Sequence, residues 1–283
     1  ATRAFPSWSK TPAAERSRVL VRIADLIAEH SQMLAEAEAM DNGKPVSLAG
    51  RMDIPRAEDN MRFFGTAILH WSSEAHIMED RAINYTNRKP IGVVGCISPW
   101  NLPLYLFTWK IAPALATGNC VVAKPSELTP MTAFLFSKLC IEAGLPAGVL
   151  NIVHGLGATT GEAIVNHNGV KAVSFTGGTT TGSRIAAVAA PRFKKLSLEL
   201  GGKNPFIVFD DCDLDKALKT VVRAAFTNQG QICLCGSRIL IQSGIYDRFV
   251  SALIEKVSAM KVGNPMLPDT QTGALVSEAH MNK

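Results

Sequence analysis

No apolar run in this chain is suited to crossing a bilayer. The most hydrophobic stretch, Leu102 to Ala123, is broken by Lys110, Pro113 and Asn119, all poor occupants of a hydrocarbon core. No secretory leader is expected, because the opening ATRAFPSW has no apolar centre. Cysteine is scarce, six in 283 residues, and Cys96, Cys120 and Cys140 sit in apolar surroundings. That excludes a disulfide-built scaffold and leads to the expectation of a reducing cytoplasm. There is no strong charge of one sign either: Lys and Arg number 29 against 24 Asp and Glu, a net +5. The surplus is spread along the chain, which argues against a nucleic-acid partner. Internal repeats and low-complexity segments are absent, and nothing points to a membrane partner.

What is there has the composition of a packed globular protein, 47% hydrophobic and 19% charged. At roughly 150 residues per domain, the length predicts about two domains. Ala1 stands where an initiating Met would, and Lys283 falls inside a helical-looking stretch, so the chain is expected to be part of a longer protein.

The opening reads as one helix capped by Thr11, with Pro12 in its first turn and Val19, Ile23, Leu26, Ile27 and Leu34 at helical spacing, stopped by Asn42-Gly43. A second helix carries Met52, Met61, Phe63 and Phe64. Residues 75–90 turn polar and strand-like, as an excursion such as a hairpin would. From Ile91 the chain alternates apolar strands (IGVVGCIS, NCVVAKP, VLNIVHG, VKAVSFTG) with helices. That pattern predicts an α/β fold, a doubly wound parallel sheet covered on both faces. After LSLEL and PFIVF, a helix capped by Asp213, the strand SRILIQ and a helix from Tyr246 begin a second α/β unit. The expected division is a dinucleotide-binding domain of residues 1–71 and 91–201, a hairpin of 72–90, and a partial catalytic domain of 202–283.

Several motifs bear on chemistry, each with a plain structural alternative. Gly155-Leu-Gly157-Ala-Thr-Thr-Gly161 follows a strand and opens a helix, but is one residue longer than the dinucleotide fingerprint and is not at the first strand. Phe175-Thr-Gly177-Gly178 is compatible with close approach to a phosphate and equally with an ordinary strand-to-helix turn. Lys124-Pro-Ser126-Glu127 ends the second strand, where an acid can accept from a ribose diol; a solvated charged loop reads the same way. Cys233, in the polar loop NQGQICLC, suits a thiolate nucleophile. A structural cysteine, a Cys-His pair with His154 or His167, or a metal ligand with Cys235 remain open, though one C-x-C with no clustered histidine is a poor metal set. Glu199, flanked by leucines, is expected to be buried, with a raised pKa fit for a general base; a salt-bridged strand residue is the alternative. Asn101, between two prolines at a strand's carboxyl end, could donate to an oxyanion or simply shape a turn.

Taken together, SPWNLP, KPSELTP, FTGGTTTG, LELGGKNP and FTNQGQICLCGSR occur in an order that closely resembles the aldehyde dehydrogenase superfamily. Within it the chain is similar to the branch acting on 2-aminomuconic and 2-hydroxymuconic semialdehydes, through MDIPRAEDNMRFF and QICLCGSR. The resemblance implies that Cys233 attacks an aldehyde, that the Asn101 amide holds the oxyanion, and that Glu199 activates water. It also implies that Lys110 helps relay protons. It places Lys124 and Glu127 at the adenosine ribose of NAD, with Pro99, Trp100, Ser126, Gly155, Gly177, Gly178 and Leu200 elsewhere around the dinucleotide. An acid at Glu127 would repel a 2′-phosphate and so favours NAD over NADP. Arg56, on a helix lining the substrate entrance in this fold, is the candidate anchor for a substrate carboxylate, with a surface arginine as the alternative. No metal is implied. The hairpin near Tyr85 resembles the family's oligomerisation arm, hence a homo-dimer or homo-tetramer. Two departures stand out: Gly178 occupies a place where the family more often has Ser, and the family's later glutamate-phenylalanine motif is not in the chain. The rivals are a non-catalytic binding or structural member and a Cys233 acyltransferase or esterase without redox chemistry.

Overall fold

The computed structural model describes residues 1–282. The expected first helix is two helices, Ala13–Glu29 and Ser31–Asn42, broken at His30 (φ −104°, ψ 19°). Pro12 precedes the first of them in extended backbone (ψ 144°) and is its N-cap. Thr11 does not cap, because its hydroxyl donates instead to the Ser7 carbonyl at 3.2 Å. The break lets both helices bury apolar faces, Leu20, Ile23 and Ile27 on one and Leu34 and Ala35 on the other. Gly43 ends the pair at φ 86°, in the left-handed conformation that glycine adopts without strain. A single π-helical turn, Ala49–Asp53, leads into helix Ile54–Ala67.

Strands β1 (Ala75–Met78) and β2 (Ala82–Tyr85) form an antiparallel hairpin that leaves Ile77, Met78, Ile83 and Tyr85 exposed. The main sheet contains β3 (Val93–Ile97), β4 (Cys120–Lys124), β5 (Leu150–Ile152), β6 (Val170–Gly177) and β7 (Lys195–Leu200), all parallel, in the order β5-β4-β3-β6-β7. Every residue of β3 is buried, as a central strand covered on both faces requires. From β3 the chain winds one way through β4 to β5, then returns to β6 and β7 on the other side. Right-handed crossovers therefore put helices Pro103–Ala116 and Met131–Glu142 on one face, and Glu162–Asn166 and Thr179–Ala189 on the other. Gly95 in β3 marks a tight seam: a Cβ there would come within 2.5 Å of Ile164 Cγ2.

Beyond β7, β8 (Pro205–Val208) and β9 (Arg238–Ile241) pair in parallel as a separate sheet. Helices Leu214–Phe226 and Tyr246–Ser258 pack with it around buried Val208, Leu218, Val221, Ile245 and Phe249. Asp213 caps the first of these helices, its carboxylate accepting from the Lys216 N–H at 3.1 Å.

Candidate active site

The strand order reverses between β3 and β6, and in doubly wound sheets ligands bind outside the carboxyl ends of the strands at that point. A cavity of 560 Å³ lies there. Of the nine residues assigned to the dinucleotide, Pro99, Trp100, Lys124, Ser126, Glu127, Gly177 and Gly178 line it. Gly155 and Leu200 do not: Gly155 is a positive-φ turn residue folded against Thr160, and Leu200 packs over Gly182. Lys124, 2% exposed, donates to Glu127 Oε2 at 2.9 Å, and the Gly157 N–H reaches Glu127 Oε1 at 3.4 Å. Partial burial pushes the Glu127 carboxyl up, but its hydrogen bond and attraction to Lys124, with backbone donors, outweigh this and hold it below its ordinary value. Glu127 is thus an ionised acceptor set in the cavity wall. Gly178, where the family more often has Ser, is the N-cap of Thr179–Ala189, and nothing lies within 4 Å of where its Cβ would be. Sequence reasoning missed His280, which lines the same cavity and meets the Trp100 ring edge-on at 4.5 Å. It lies 180 residues from Trp100 on no shared motif, so no local signal announces it.

The loop that carries Cys233 is held from several sides. Asn204, in the turn between β7 and β8, donates its amide to the Cys233 carbonyl at 2.6 Å and to the Cys235 carbonyl at 3.1 Å. Asn228 and Gln229 both take left-handed backbone (φ 54° and 56°), a conformation unusual away from glycine and often found at functional loops. Gln229 donates to the Ala274 carbonyl at 2.7 Å. Asn101 is tied to this loop in both directions. Its Nδ2 donates to the Gln231 carbonyl at 2.8 Å, and its own carbonyl accepts from Asn228 Nδ2 at 2.9 Å. The structure therefore joins Asn101 to the segment that presents Cys233, which is exposed. One amide proton of Asn101 is engaged by Gln231, which leaves the second to donate elsewhere.

Lys110 is 5% exposed and donates to the Thr176 hydroxyl. Burial lowers the pKa of its ammonium, an effect partly opposed by Cys96 and Glu199. Cys96, fully buried in β3, is pushed up to about 12 by desolvation despite the nearby lysine. Glu199 departs from expectation. It is exposed, not buried, because β7 is the outer strand of the sheet, and no ion pair holds it among the described residues. Its register partner is Thr176, so Lys110 and Glu199 flank one threonine. Arg56 stands apart from these groups, over the Tyr105 ring at 5.4 Å and 3.7 Å from Asp59. With Asn60, Phe63 and Trp109 it lines a second cavity, of 450 Å³. Among the described residues, no group of three His, Cys, Asp or Glu is placed to hold a metal ion. No helix of the described residues is long and apolar enough to cross a membrane.

The fold and site define a doubly wound parallel sheet with a cysteine loop docked at its carboxyl edge. Known proteins give the class its family. The aldehyde dehydrogenase family matches residues 1–283. The human 2-aminomuconic semialdehyde dehydrogenase is 52% identical over the whole chain, and 2-hydroxymuconic semialdehyde dehydrogenase of Pseudomonas sp. (strain CF600) is 45% identical over 98% of it. The NAD+ complex of aldehyde dehydrogenase from Bacillus cereus superposes over the whole chain with a TM-score of 0.98 at 40% identity, which is 58% of that structure. The chain belongs to the aldehyde dehydrogenase family, and it spans about 58% of the length of the curated relatives it matches.

Proposed function

We propose that this chain carries the nucleophile and cofactor halves of an NAD-dependent aldehyde dehydrogenase acting on an aldehyde that bears a carboxylate. The observation that carries the reading is the Asn101 amide bonded to Gln231, two residues before Cys233, while its neighbour Trp100 lines the dinucleotide cavity. In this reading cofactor, amide donor and thiol share one corner of the fold.

The residues present fit NAD. Ionised Glu127, oriented by Lys124, suits a ribose diol and disfavours a 2′-phosphate, and Gly177 and Gly178 leave backbone free beside the start of a helix. NAD bound there would supply the acceptor for the hydride from the aldehyde carbon. The Cys233 thiolate attacks the carbonyl, and the Asn101 Nδ2 proton not used by Gln231, with the Cys233 backbone N–H, holds the oxyanion. Glu199 takes a proton from the water that hydrolyses the resulting thioester, releasing the acid and freeing the thiol. Buried Lys110, linked to Glu199 across Thr176, supplies positive charge beside that carboxylate. For the substrate, the relatives' names point to muconic-type semialdehydes. Arg56 at the aromatic second cavity is the carboxylate anchor in this reading. The exposed hairpin supports assembly as a homo-dimer or homo-tetramer.

The test follows reduced nicotinamide by absorbance, with a muconic-type semialdehyde beside a plain aliphatic aldehyde. Turnover that favours the acidic aldehyde and is abolished in Cys233→Ala is expected. Asn101→Ala should lower kcat by about 10²–10³, and Glu199→Gln should leave an acyl adduct on Cys233 visible by intact mass. A folded chain that turns over neither aldehyde, or a Cys233→Ala variant with full activity, overturns the reading.

A further inference from the structure

The cluster of Glu38, Lys44 and Asp53 is the most deeply buried set of ionisable groups among the described residues, with all three side chains fully inaccessible. Lys44 Nζ donates to Asp53 Oδ1 at 2.8 Å and to Glu38 Oε1 at 3.3 Å. Its third proton goes to the backbone carbonyl of Asn101 at 3.1 Å. Glu38 Oε2 accepts the N–H of Leu104 at 3.3 Å, at the start of helix Pro103–Ala116. The triad therefore grips the chain at two points three residues apart, Asn101 within SPWNLP and Leu104 just after it.

Burying three ionisable groups is a costly way to stabilise a fold, since apolar side chains of similar volume do as well or better. What such a cluster supplies that apolar side chains cannot is direction at the atom it bonds. That atom is the carbonyl of the residue whose side-chain amide faces the cysteine loop. The Asn101 carbonyl also accepts from Asn228, so Lys44 on one side and the nucleophile loop on the other clamp the same oxygen.

We propose that Lys44, braced by Glu38 and Asp53, is a positioning residue that fixes the Asn101 backbone so that its side-chain amide meets the oxyanion formed at Cys233. The proposal rests on the reading of Asn101 as oxyanion donor given above, and it adds a residue from outside the active-site motifs.

The test compares three chains: Lys44→Met, a neutral triple variant (Glu38→Gln, Lys44→Met, Asp53→Asn), and Asn101→Ala. Lys44→Met alone leaves Asp53 without its cation, a change that can cost the fold; the triple variant removes that burden and is the deciding one. The first readout needs no activity. The Asn101 side-chain amide is identified in a ¹H–¹⁵N spectrum by its loss in Asn101→Ala. In the triple variant it should shift, while the Asn119 amide, held by Thr117 at 2.9 Å, stays in place. The second readout is kinetic: kcat falls about 100-fold, as for a misplaced oxyanion donor, with the KM for NAD within twofold. Adding Asn101→Ala to the triple variant should then give no further loss. An unmoved Asn101 amide in the folded triple variant, or losses that multiply, overturns the proposal. If Asn101→Ala leaves turnover unchanged, the oxyanion reading falls, and the amide shift still decides whether Lys44 positions Asn101.

Discussion

The five-stranded and two-stranded sheets are both parallel, but only the first is covered on both faces. β3 is buried along its whole length, whereas Ile207 of β8 and Leu240 of β9 are 57% and 50% exposed. Parallel strands ordinarily occur with helices on both sides. In the second unit helices Leu214–Phe226 and Tyr246–Ser258 close one face, and its buried cluster is limited to residues such as Val208, Val221 and Phe249. The first core runs continuously from Trp8 through β3 and β4 to Ile185. The same strand-and-helix grammar thus yields a rigid platform in one half and a thinner appendage in the other. The cysteine belongs to the thinner half, and the groups that orient it are shared between the two.

The largest test of this contrast is a pair of ring deletions. Phe107 and Phe249 are both at most 1% exposed. Phe107→Ala should lower global stability by about 3–5 kcal/mol, the usual cost of emptying a packed aromatic site. Phe249→Ala should instead speed hydrogen exchange in Leu214–Phe226 and Tyr246–Ser258 while β3 and β4 keep their protection. Equal deprotection of β3 in the second variant would make the two halves one cooperative unit and end the comparison.

The next effect is a pH dependence confined to the first half. Burial, with Asp53 adding to it and Lys44 opposing it, pushes the Glu38 carboxyl up from 4.5 to about 8. The folded chain therefore holds a proton that the unfolded chain has already released. This contribution to stability is complete below pH 4.5 and is lost as pH rises through about 8. Urea midpoints should fall across that window, and Glu38→Gln should flatten the fall; an unchanged slope would remove Glu38 from the account. Smaller again is Gly95→Ala, where the new methyl meets Ile164. It should destabilise by about 1–3 kcal/mol as overpacking, read from a denaturant melt. Smallest is the Asp213→Ala cap loss in the second half, about 1 kcal/mol. It should appear as fraying of the first turn of Leu214–Phe226, with no change at β3.

The reach of sequence reasoning follows the same division. Period and punctuation placed the strands of the main sheet, because fully buried parallel strands leave unbroken apolar runs such as those at Val93 and Cys120. The helix break at His30 was illegible, since apolar spacing continues across it and no Gly or Pro marks it. The exposure of Glu199 was misjudged from its leucine neighbours: Leu198 and Leu200 are half-buried while the outer strand leaves the intervening acid in solvent. At the site, contiguous motifs were readable one by one. The bonds from Lys44 and Asn228 to Asn101 were not, because each joins residues far apart in the chain and neither is implied by spacing.

The hydrogen bond from Asn101 to Gln231 spans 130 positions of sequence. At a synthesis rate of about 5–20 residues per second, Gln231 follows Asn101 out of the translation machinery by on the order of ten seconds. Through that interval β3 and its helix can form while the cysteine loop does not yet exist as a partner. Docking is then the event that joins the Cys233 loop to the Asn101 amide, and a half-made chain has the platform without that contact.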